Sequence, residues 1–199
     1  DDAVLPQVDD VVAGNVEETC RRVGDEVDNI LKAGKTPLML GGEHSITIGA
    51  VAAAAKNFSE LKVISFDAHA DMRDEFEGSR YSHGCAMRRV SDIVGIDNIL
   101  EIGIREVSEQ EAGFRQRMVF RHDCRDMEKT KKIISDFAKN SDVYVSIDID
   151  ALDLSIAPGT GTPQPDGLSY NEIYEFISSL ASAKKVIGID LVEVSPIPG

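Results

Sequence analysis

Four short segments of the chain hold carboxylate side chains at close spacing, and two of them add a histidine. In two of them the polar residues alternate with apolar ones: Asp67, His69 and Asp71 in one, Asp148 and Asp150 in the other. Alternate residues of an extended segment share one face, so these side chains are expected to converge. Carboxylates so close together repel each other and resist burial, and a divalent cation relieves both problems. The four segments are Gly41-Gly42-Glu43-His44-Ser45, Asp67-Ala68-His69-Ala70-Asp71, Asp148-Ile149-Asp150 and Asp190-Leu191-Val192-Glu193.

The number and type of these side chains favour two metal ions. Aspartates at strand ends also serve as caps and turn residues. That role accounts for one aspartate, but poorly for two clusters that come with His44 and His69. Four aspartates and two histidines exceed what one ion needs, and they fit a two-metal site with bridging carboxylates. Oxygen-rich ligation with some imidazole and no thiolate favours manganese or magnesium over zinc.

Strand and helix patterns alternate along the chain, which places the four segments at one edge of a sheet. Such alternation is typical of a mostly parallel sheet with helices on both faces. Ligands of these sheets bind beyond the carboxyl ends of the strands, where all four segments are expected. The predicted strands are residues 37–40 (short and buried), 61–66, 99–104, 118–121, 143–149 and 185–192. The predicted helices are residues 16–31, 45–57, 109–117, 127–139 and 169–182, with a loop and then a helix at 72–90, and a loop at 155–167.

The composition indicates which partners and which location suit the chain. The chain has 21 basic and 35 acidic residues and a net charge of −14. Without a basic stripe, nucleic acid and anionic membranes are not expected as partners, whereas a metal or a cationic ligand suits the charge. No apolar run is long enough to cross a membrane, and no signal peptide is visible. Three cysteines, Cys20, Cys85 and Cys124, without a Cys-x-x-Cys pair fit buried thiols and a cytoplasmic location.

Several motifs together resemble the ureohydrolase family, which includes arginases, agmatinases, guanidinobutyrases and formiminoglutamases. They are Gly-Gly-Glu-His-Ser at 41–45, Ser-Phe-Asp-Ala-His-Ala-Asp at 65–71, Ser-Ile-Asp-Ile-Asp at 146–150 with Asp153, and Ala-Pro-Gly-Thr-Gly-Thr-Pro at 157–163. Their shared order over about residues 11–196 makes chance agreement improbable. The resemblance implies a three-layer α/β/α fold of the arginase and deacetylase kind, as one domain over residues 1–199 that lacks segments at both ends. It also implies a homo-oligomer, a trimer or hexamer.

The resemblance implies two manganese ions in each subunit. His44, Asp67, Asp71 and Asp148 match the ligands of one ion. The second ion matches Asp67, His69, Asp148 and Asp150, so that Asp67 and Asp148 would bridge. Asp190 and Glu43 are expected to support the site from outside this set.

The resemblance also gives catalytic roles to three residues and implies a mechanism. His83 matches a proton-shuttle histidine, and Glu193 matches the acid that receives the guanidinium group through paired hydrogen bonds. A hydroxide bridging the metals attacks the guanidinium carbon, and Asp150 is expected to hold its proton. His122 matches no such position and is interpreted as structural.

The segment between Asp71 and His83 favours agmatine as the substrate, cleaved to urea and putrescine. It lacks the Asn that arginases use, it looks like the agmatinase sequence, and Asp74, Glu75 and Glu77 add negative charge for a substrate amine. A guanidinobutyrase or an arginase is the alternative, since Arg73 or Arg80 would receive a carboxylate.

Three other classes remain as hypotheses. A dinuclear metallophosphoesterase uses similar clusters, but the acidic loop disfavours phosphate. A deacetylase-like protein shares the fold class, but the paired aspartates disfavour it. A catalytically silent metal-binding subunit of the same family would bind metal without releasing urea.

Overall fold

A computed structural model describes residues 15–197, in which six strands form one sheet. The strand order is β1-β6-β5-β2-β3-β4, and every pair of neighbours is parallel. All carboxyl ends therefore lie at one edge of the sheet. The strands are β1 Leu38–Leu40, β2 Leu61–Phe66, β3 Ile99–Ile104, β4 Met118–Phe120, β5 Asp142–Asp148 and β6 Lys185–Val192.

Helices connect the strands and cover both faces of the sheet. The α-helices are α1 Val16–Lys32, α2 Ile46–Asn57, α3 Ala86–Val94, α4 Arg121–Cys124, α5 Met127–Ala138 and α6 Tyr170–Ser178. Short 3₁₀ helices occupy His83–Cys85, Ile96–Asn98, Glu109–Arg117, Ile149–Ala151 and Ser179–Ser182. The predicted helix at 109–117 is thus a 3₁₀ helix, and the one predicted at 169–182 changes to 3₁₀ geometry after Ser178.

Two apolar cores lie on opposite faces of the sheet. Neighbouring strand residues point to opposite faces, so Val63 belongs to one core and Ile64 to the other. The first core joins the sheet to α1, α2 and α3, and the second joins it to α5 and α6. Each large apolar side chain buried in this way contributes roughly 1.5–3 kcal/mol. The three-layer α/β/α fold is thereby confirmed.

Local sequence signals explain where two helices begin. The Ser169 hydroxyl accepts from the Glu172 backbone N–H, and the Glu172 carboxylate accepts from the Ser169 backbone N–H, which is the predicted capping box of α6. Asn15 caps α1 by accepting from the Glu18 backbone N–H at 3.1 Å. Gly34, two residues beyond α1, has φ +73°, a conformation that favours glycine at a helix end.

Strand β1 differs from the prediction of a short buried strand. Leu38 is 66% exposed and Leu40 is 71% exposed. Within residues 15–197, β1 lies at the end of the sheet with β6 as its neighbour, so part of its side-chain surface is uncovered. An apolar run alone does not distinguish a central strand from an edge strand.

Two absences expected from the sequence concern membranes and disulfides. No helix within the described residues is long and apolar enough to cross a membrane. Cys20, Cys85 and Cys124 are all free and buried, as predicted.

Candidate metal centre

Four neighbouring strands bring the polar segments to one place. His44 lies in the turn between β1 and α2, and Glu193 directly follows β6. Asp148 ends β5, and Asp67 directly follows β2. Because β1, β6, β5 and β2 are consecutive in the parallel sheet, these residues meet at its carboxyl edge.

The first cluster forms around the imidazole of His44. His44 Nδ1 lies 3.0 Å from Asp71 Oδ2, 3.2 Å from Asp67 Oδ2 and 3.5 Å from Asp148 Oδ2. His44, Asp67 and Asp148 each offer a ligand atom within 4.8 Å of the others. All four residues are buried, so their charges are poorly screened by solvent.

The second cluster shares Asp67 with the first and adds His69 and Asp150. His69 Nδ1 lies 2.9 Å from Asp150 Oδ2 and 3.7 Å from Asp67 Oδ1. These three residues also place ligand atoms within 4.8 Å of one another. Asp67 therefore faces both clusters with different oxygens, as a bridging carboxylate would. Asp148 belongs to the first cluster, and its role as a second bridge stays a prediction.

The aspartates converge by a different route from the extended geometry expected. Asp71 has φ +49°, in the left-handed region, and Asp150 lies in a 3₁₀ turn. The turn at Asp150 is fixed by Asp148 Oδ1, which accepts from the Asp150 backbone N–H at 2.8 Å. Asp150 Oδ1 accepts from the Ala68 backbone N–H at 3.1 Å, which ties the two aspartate segments together.

A buried relay behind His44 sets its orientation. The Ser146 hydroxyl donates to Asp190 Oδ1 at 2.6 Å, and His44 Nε2 lies 3.0 Å from the same hydroxyl oxygen. With its proton directed to Asp190, Ser146 accepts from His44 Nε2–H, which leaves the Nδ1 lone pair facing the aspartates when the ring is neutral. Asp190 also accepts from Thr47 and Tyr144. Asp190 supports the site as expected, whereas sequence reasoning gave Ser146 no role of its own.

The electrostatics of the two clusters fit divalent cations. His44 Nδ1 and Asp67 Oδ2 are buried without a well-formed hydrogen bond within residues 15–197. Burial and the neighbouring charge of Asp67 raise the pKa of Asp71 to about 6. Burial and the charge of Asp67 raise the pKa of Asp148 well above its ordinary value. Burial opposes the charged imidazole of His69, but Asp150 and Asp67 outweigh it and raise its pKa to about 11. Nearby positive charge therefore stabilises the buried carboxylates, and bound protons or divalent cations can supply that charge.

The loop at 155–167 closes over the second cluster through contacts that the sequence did not reveal. Thr162 Oγ1 donates to Asp150 Oδ2 at 3.0 Å. The Arg105 guanidinium donates to the backbone carbonyls of Asp150 at 2.6 Å, Gln164 at 2.9 Å and Pro165 at 2.9 Å. Arg105 directly follows β3 at the same edge of the sheet, and that position is the signal that could have identified it.

Glu193 lies beside the first cluster. Its backbone has φ +61°, and its Oε1 accepts from the His44 backbone N–H at 2.7 Å. Burial raises the pKa of Glu193, although the hydrogen bond from His44 and the charges of His44 and His83 oppose the rise. Glu43 instead accepts from the Ser45 hydroxyl at the start of α2.

His83 begins a 3₁₀ helix on the segment that follows Asp71. Its imidazole meets the Phe76 ring edge to face, with ring centroids 5.5 Å apart and planes at 78°. His122 lies outside both clusters and is exposed, and it stacks on Phe120. Asp153 accepts from Ser155 and from the Gly167 backbone N–H, so it stabilises the loop.

The acidic residues before His83 differ in their surroundings. Asp74 Oδ1 accepts from Arg89 at 2.6 Å and from Arg80 at 3.0 Å. Both guanidinium groups contact Oδ1 and offset part of the charge of Asp74, so Asp74 offers a substrate amine less negative charge than the sequence suggested. Glu75 and Glu77 are exposed, and their carboxylates remain candidates to attract a substrate amine.

Comparisons with known proteins agree with this geometry. A profile of the arginase family matches residues 2–198. The chain is 36% identical over 188 residues to an agmatinase of Bacillus anthracis, covering 92% of this chain and 64% of that protein. It is 38% identical over 188 residues to an N(1)-aminopropylagmatine ureohydrolase of Thermococcus kodakarensis, covering 93% of this chain and 63% of that protein. The crystal structure of agmatine ureohydrolase of Thermoplasma volcanium has a TM-score of 0.81 and 36% identity, covering 91% of this chain and 61% of that one. The chain thus spans less than two thirds of the length of these relatives, and it belongs to the arginase family.

Proposed function

We propose that this chain carries the site of a dinuclear manganese hydrolase that cleaves the guanidinium group of agmatine to urea and putrescine. The observation that carries the proposal is the pair of carboxylate and imidazole clusters that share Asp67. A solvated acidic surface would not bury these carboxylates, and a single-ion site would not need both clusters. The family to which the chain belongs supports the same reaction class.

The two clusters would hold the two ions. His44, Asp67, Asp71 and Asp148 would hold one, and Asp67, His69, Asp148 and Asp150 the other. Divalent cations supply Lewis acidity that generates a nucleophile from water at neutral pH and stabilises the charge that develops during attack. Oxygen ligands with two imidazoles and no thiolate are the basis for proposing manganese.

Glu193 would bind and orient the substrate guanidinium group. Its Oε1 is already held by the His44 backbone N–H, and this contact fixes the carboxylate beside the first cluster. A carboxylate accepts a planar guanidinium group through two parallel hydrogen bonds. Such binding would hold the guanidinium carbon over the metal centre, where orientation alone lowers the barrier substantially.

Protons would move through Asp150 and His83. Asp150 Oδ2 faces the second cluster and accepts from Thr162, so it would take a proton from the attacking water. His83 lies on the segment that follows Asp71, and its imidazole would protonate the leaving amine. Release of that amine and of urea completes the reaction.

Three candidate substrates differ in the tail that follows the guanidinium group. The agmatinase relative and the aminopropylagmatine ureohydrolase relative are almost equally similar to this chain, at 36% and 38% identity. N(1)-aminopropylagmatine, which extends agmatine by an aminopropyl group, is therefore the second candidate substrate. A guanidino acid is the third, because Arg73 has no carboxylate at ion-pair distance in the part of the chain that the structure describes.

Two further expectations come from the sequence analysis. The cysteine pattern predicts a cytoplasmic location, and the family resemblance predicts assembly of the chain into a trimer or hexamer. Both stay predictions.

Urea release by the manganese-reconstituted chain tests the proposal. Agmatine, N(1)-aminopropylagmatine, arginine and guanidinobutyrate would be compared in parallel, with and without metal. We expect metal-dependent urea release that is fastest with agmatine. An Asp67→Asn variant should lose both bound metal and activity, while Asp142→Asn, on a buried carboxyl at the opposite end of β5, serves as the matched control. Two bound metals without urea from any substrate would instead support a silent metal-binding subunit.

A further inference from the structure

We propose that Phe76 is a positioning residue for His83, and that Arg73 holds the Phe76 ring in place. The inference rests on the proposed function for the role of His83 in protonating the leaving amine. Its geometry is independent of the metals, because neither Phe76 nor Arg73 belongs to the two clusters.

The Phe76 ring packs directly against the His83 imidazole. The two rings meet at 78° with centroids 5.5 Å apart, within the range preferred by aromatic pairs. The hydrogen bond that His83 makes within residues 15–197 is to Ser82 Oγ, at 3.5 Å from Nδ1. That distance is at the outer limit of a hydrogen bond, so it orients the ring weakly. Of these two contacts, the packing against Phe76 is the better-formed one.

The backbone around Phe76 forms a closed turn. The backbone N–H groups of Phe76 and Ser79 each donate to the carbonyl oxygen of the other, at 3.0 Å. Glu77 and Gly78 at the tip have φ +51° and +79°, which lets the chain reverse between them. A turn closed by two hydrogen bonds fixes the position from which the Phe76 side chain projects.

Two further contacts hold the ring itself. The Arg73 guanidinium carbon lies 4.5 Å from the centroid of the Phe76 ring, in the range of a cation–π interaction. The ring also packs on Gly84, since a Cβ atom placed there would lie 3.4 Å from Phe76 Cδ1. The Arg73 backbone N–H donates to the Gly84 carbonyl at 3.2 Å, so both ends of the segment are tied next to His83. Arg73 thus contacts the Phe76 ring, and that ring in turn meets the His83 imidazole edge to face.

This arrangement predicts a specific kinetic defect. Leucine at position 76 would keep an apolar side chain but would remove the aromatic face, so the imidazole would sample other orientations. Substrate binding at Glu193 would be unaffected, whereas protonation of the leaving amine would be slower. We expect Phe76→Leu to lower kcat by about two- to tenfold, the effect of losing one aromatic contact, with KM unchanged.

The chain offers a matched control for this variant. Phe120 stacks on His122 with centroids 5.7 Å apart, and the Arg115 guanidinium carbon lies 5.6 Å from the Phe120 ring centroid. The same three residue types therefore meet at strand β4, away from both clusters. Phe120→Leu should leave kcat and KM unchanged, even though it also removes an aromatic contact to a histidine, here a stacked one with planes at 18°.

A double-mutant cycle tests whether Phe76 acts through His83. Phe76→Leu should lower kcat in the wild-type background and change nothing in a His83→Ala background, because the positioned group is then absent. Unchanged kcat in Phe76→Leu would overturn the inference. So would an equal loss in both backgrounds, which would indicate a general structural role.

A spectroscopic readout separates this inference from the proposed function. The imidazole resonance of His83, assigned with His83→Ala, should shift in Phe76→Leu as the ring current is lost, and should stay in place in Phe120→Leu. If the wild-type chain releases no urea but the resonance shifts, the proposed function fails while the positioning contact stands. An unmoved resonance in Phe76→Leu would refute the contact regardless of activity.

Discussion

His44 Nε2 lies 3.0 Å from Ser146 Oγ inside the protein, and this contact decides which ring nitrogen faces the aspartates. Ser146 directs its own proton to Asp190, so its oxygen accepts from the imidazole N–H. The Nδ1 atom is then free to bind a cation. The fully buried carboxylate of Asp190 thus orients the candidate metal ligand His44 through one hydroxyl group.

Removing the charge of Asp190 should weaken metal binding. In Asp190→Asn the Ser146 hydroxyl loses its strongest acceptor and can turn its proton toward His44, which favours the wrong imidazole tautomer. We expect a loss of about 10- to 100-fold in metal affinity, the usual effect of removing such an outer partner. The measurement is a titration of the metal-free chain with manganese. Asp142→Asn is the control, and equal affinity in both variants would contradict the relay.

Metal binding should release protons and strengthen as the pH rises. In the metal-free chain, burial and the charge of Asp67 raise the pKa of Asp71 to about 6. Burial opposes protonation of His69, but Asp150 and Asp67 raise its pKa to about 11. Both groups therefore carry protons at pH 5, and cations must displace these protons to bind.

Calorimetry checks this pH dependence. Manganese titrations in two buffers of different ionisation enthalpy should give different heats at the same pH, because released protons enter the buffer. Affinity should increase between pH 5 and pH 8. Identical heats in both buffers would show that the ligands are already deprotonated, and would contradict the prediction.

The sequence predicted which side chains meet in the candidate metal centre because strand ends and residue types are local signals. An apolar run followed by aspartate, as at Phe66 and Asp67, marks the carboxyl end of a strand. Parallel strands place all such ends at one edge of the sheet, and the consecutive positions of β1, β6, β5 and β2 bring these ends together. The alternation of strands and helices predicted the layers in the same way, and the structure confirms them.

The features that the sequence did not predict depend on contacts between distant segments. Asp71 meets His44 through a left-handed backbone conformation that spacing alone does not reveal. The charge of Asp74 is partly offset by Arg80 and Arg89. Because Arg89 lies on α3, which begins after the loop, the sequence overstated the negative charge of this loop. Strand β1 was predicted to be buried because its residues are apolar, and its place at the end of the sheet formed by the described residues is set by strand pairing.

Glu101 on β3 should make the metal-free chain less stable as the pH rises. It is fully buried, and neither carboxylate oxygen has a hydrogen-bond partner among the described residues. Burial, and then the charges of Asp67 and Asp71, raise the pKa of Glu101 well above its ordinary value. Its contribution to stability is therefore fully present below the pKa of the unfolded chain and is lost as the pH rises toward the folded pKa.

Glu101→Gln removes this titration while it keeps the shape of the side chain. Without metal, the variant should exceed the wild type in free energy of unfolding at pH 8, by about 1–3 kcal/mol, and the gain should shrink toward pH 4. Chemical denaturation at several pH values measures it. Glu109→Gln, at an exposed position, is the control. A gain that does not depend on pH would rule out ionisation of Glu101 as the cause.

Arg105 should keep the loop at 155–167 ordered. Its guanidinium group donates to the carbonyls of Asp150, Gln164 and Pro165 at once, a geometry that the single ammonium group of lysine cannot reproduce. Arg105→Lys should therefore speed amide hydrogen exchange in the loop and weaken the hold on Asp150, with the strand cores unchanged. Arg125→Lys is a suitable control, because Arg125 is an exposed residue whose guanidinium contacts the Asp166 carboxylate of the same loop. If exchange in the loop were equally slow in both variants, the three hydrogen bonds from Arg105 would not be what orders it.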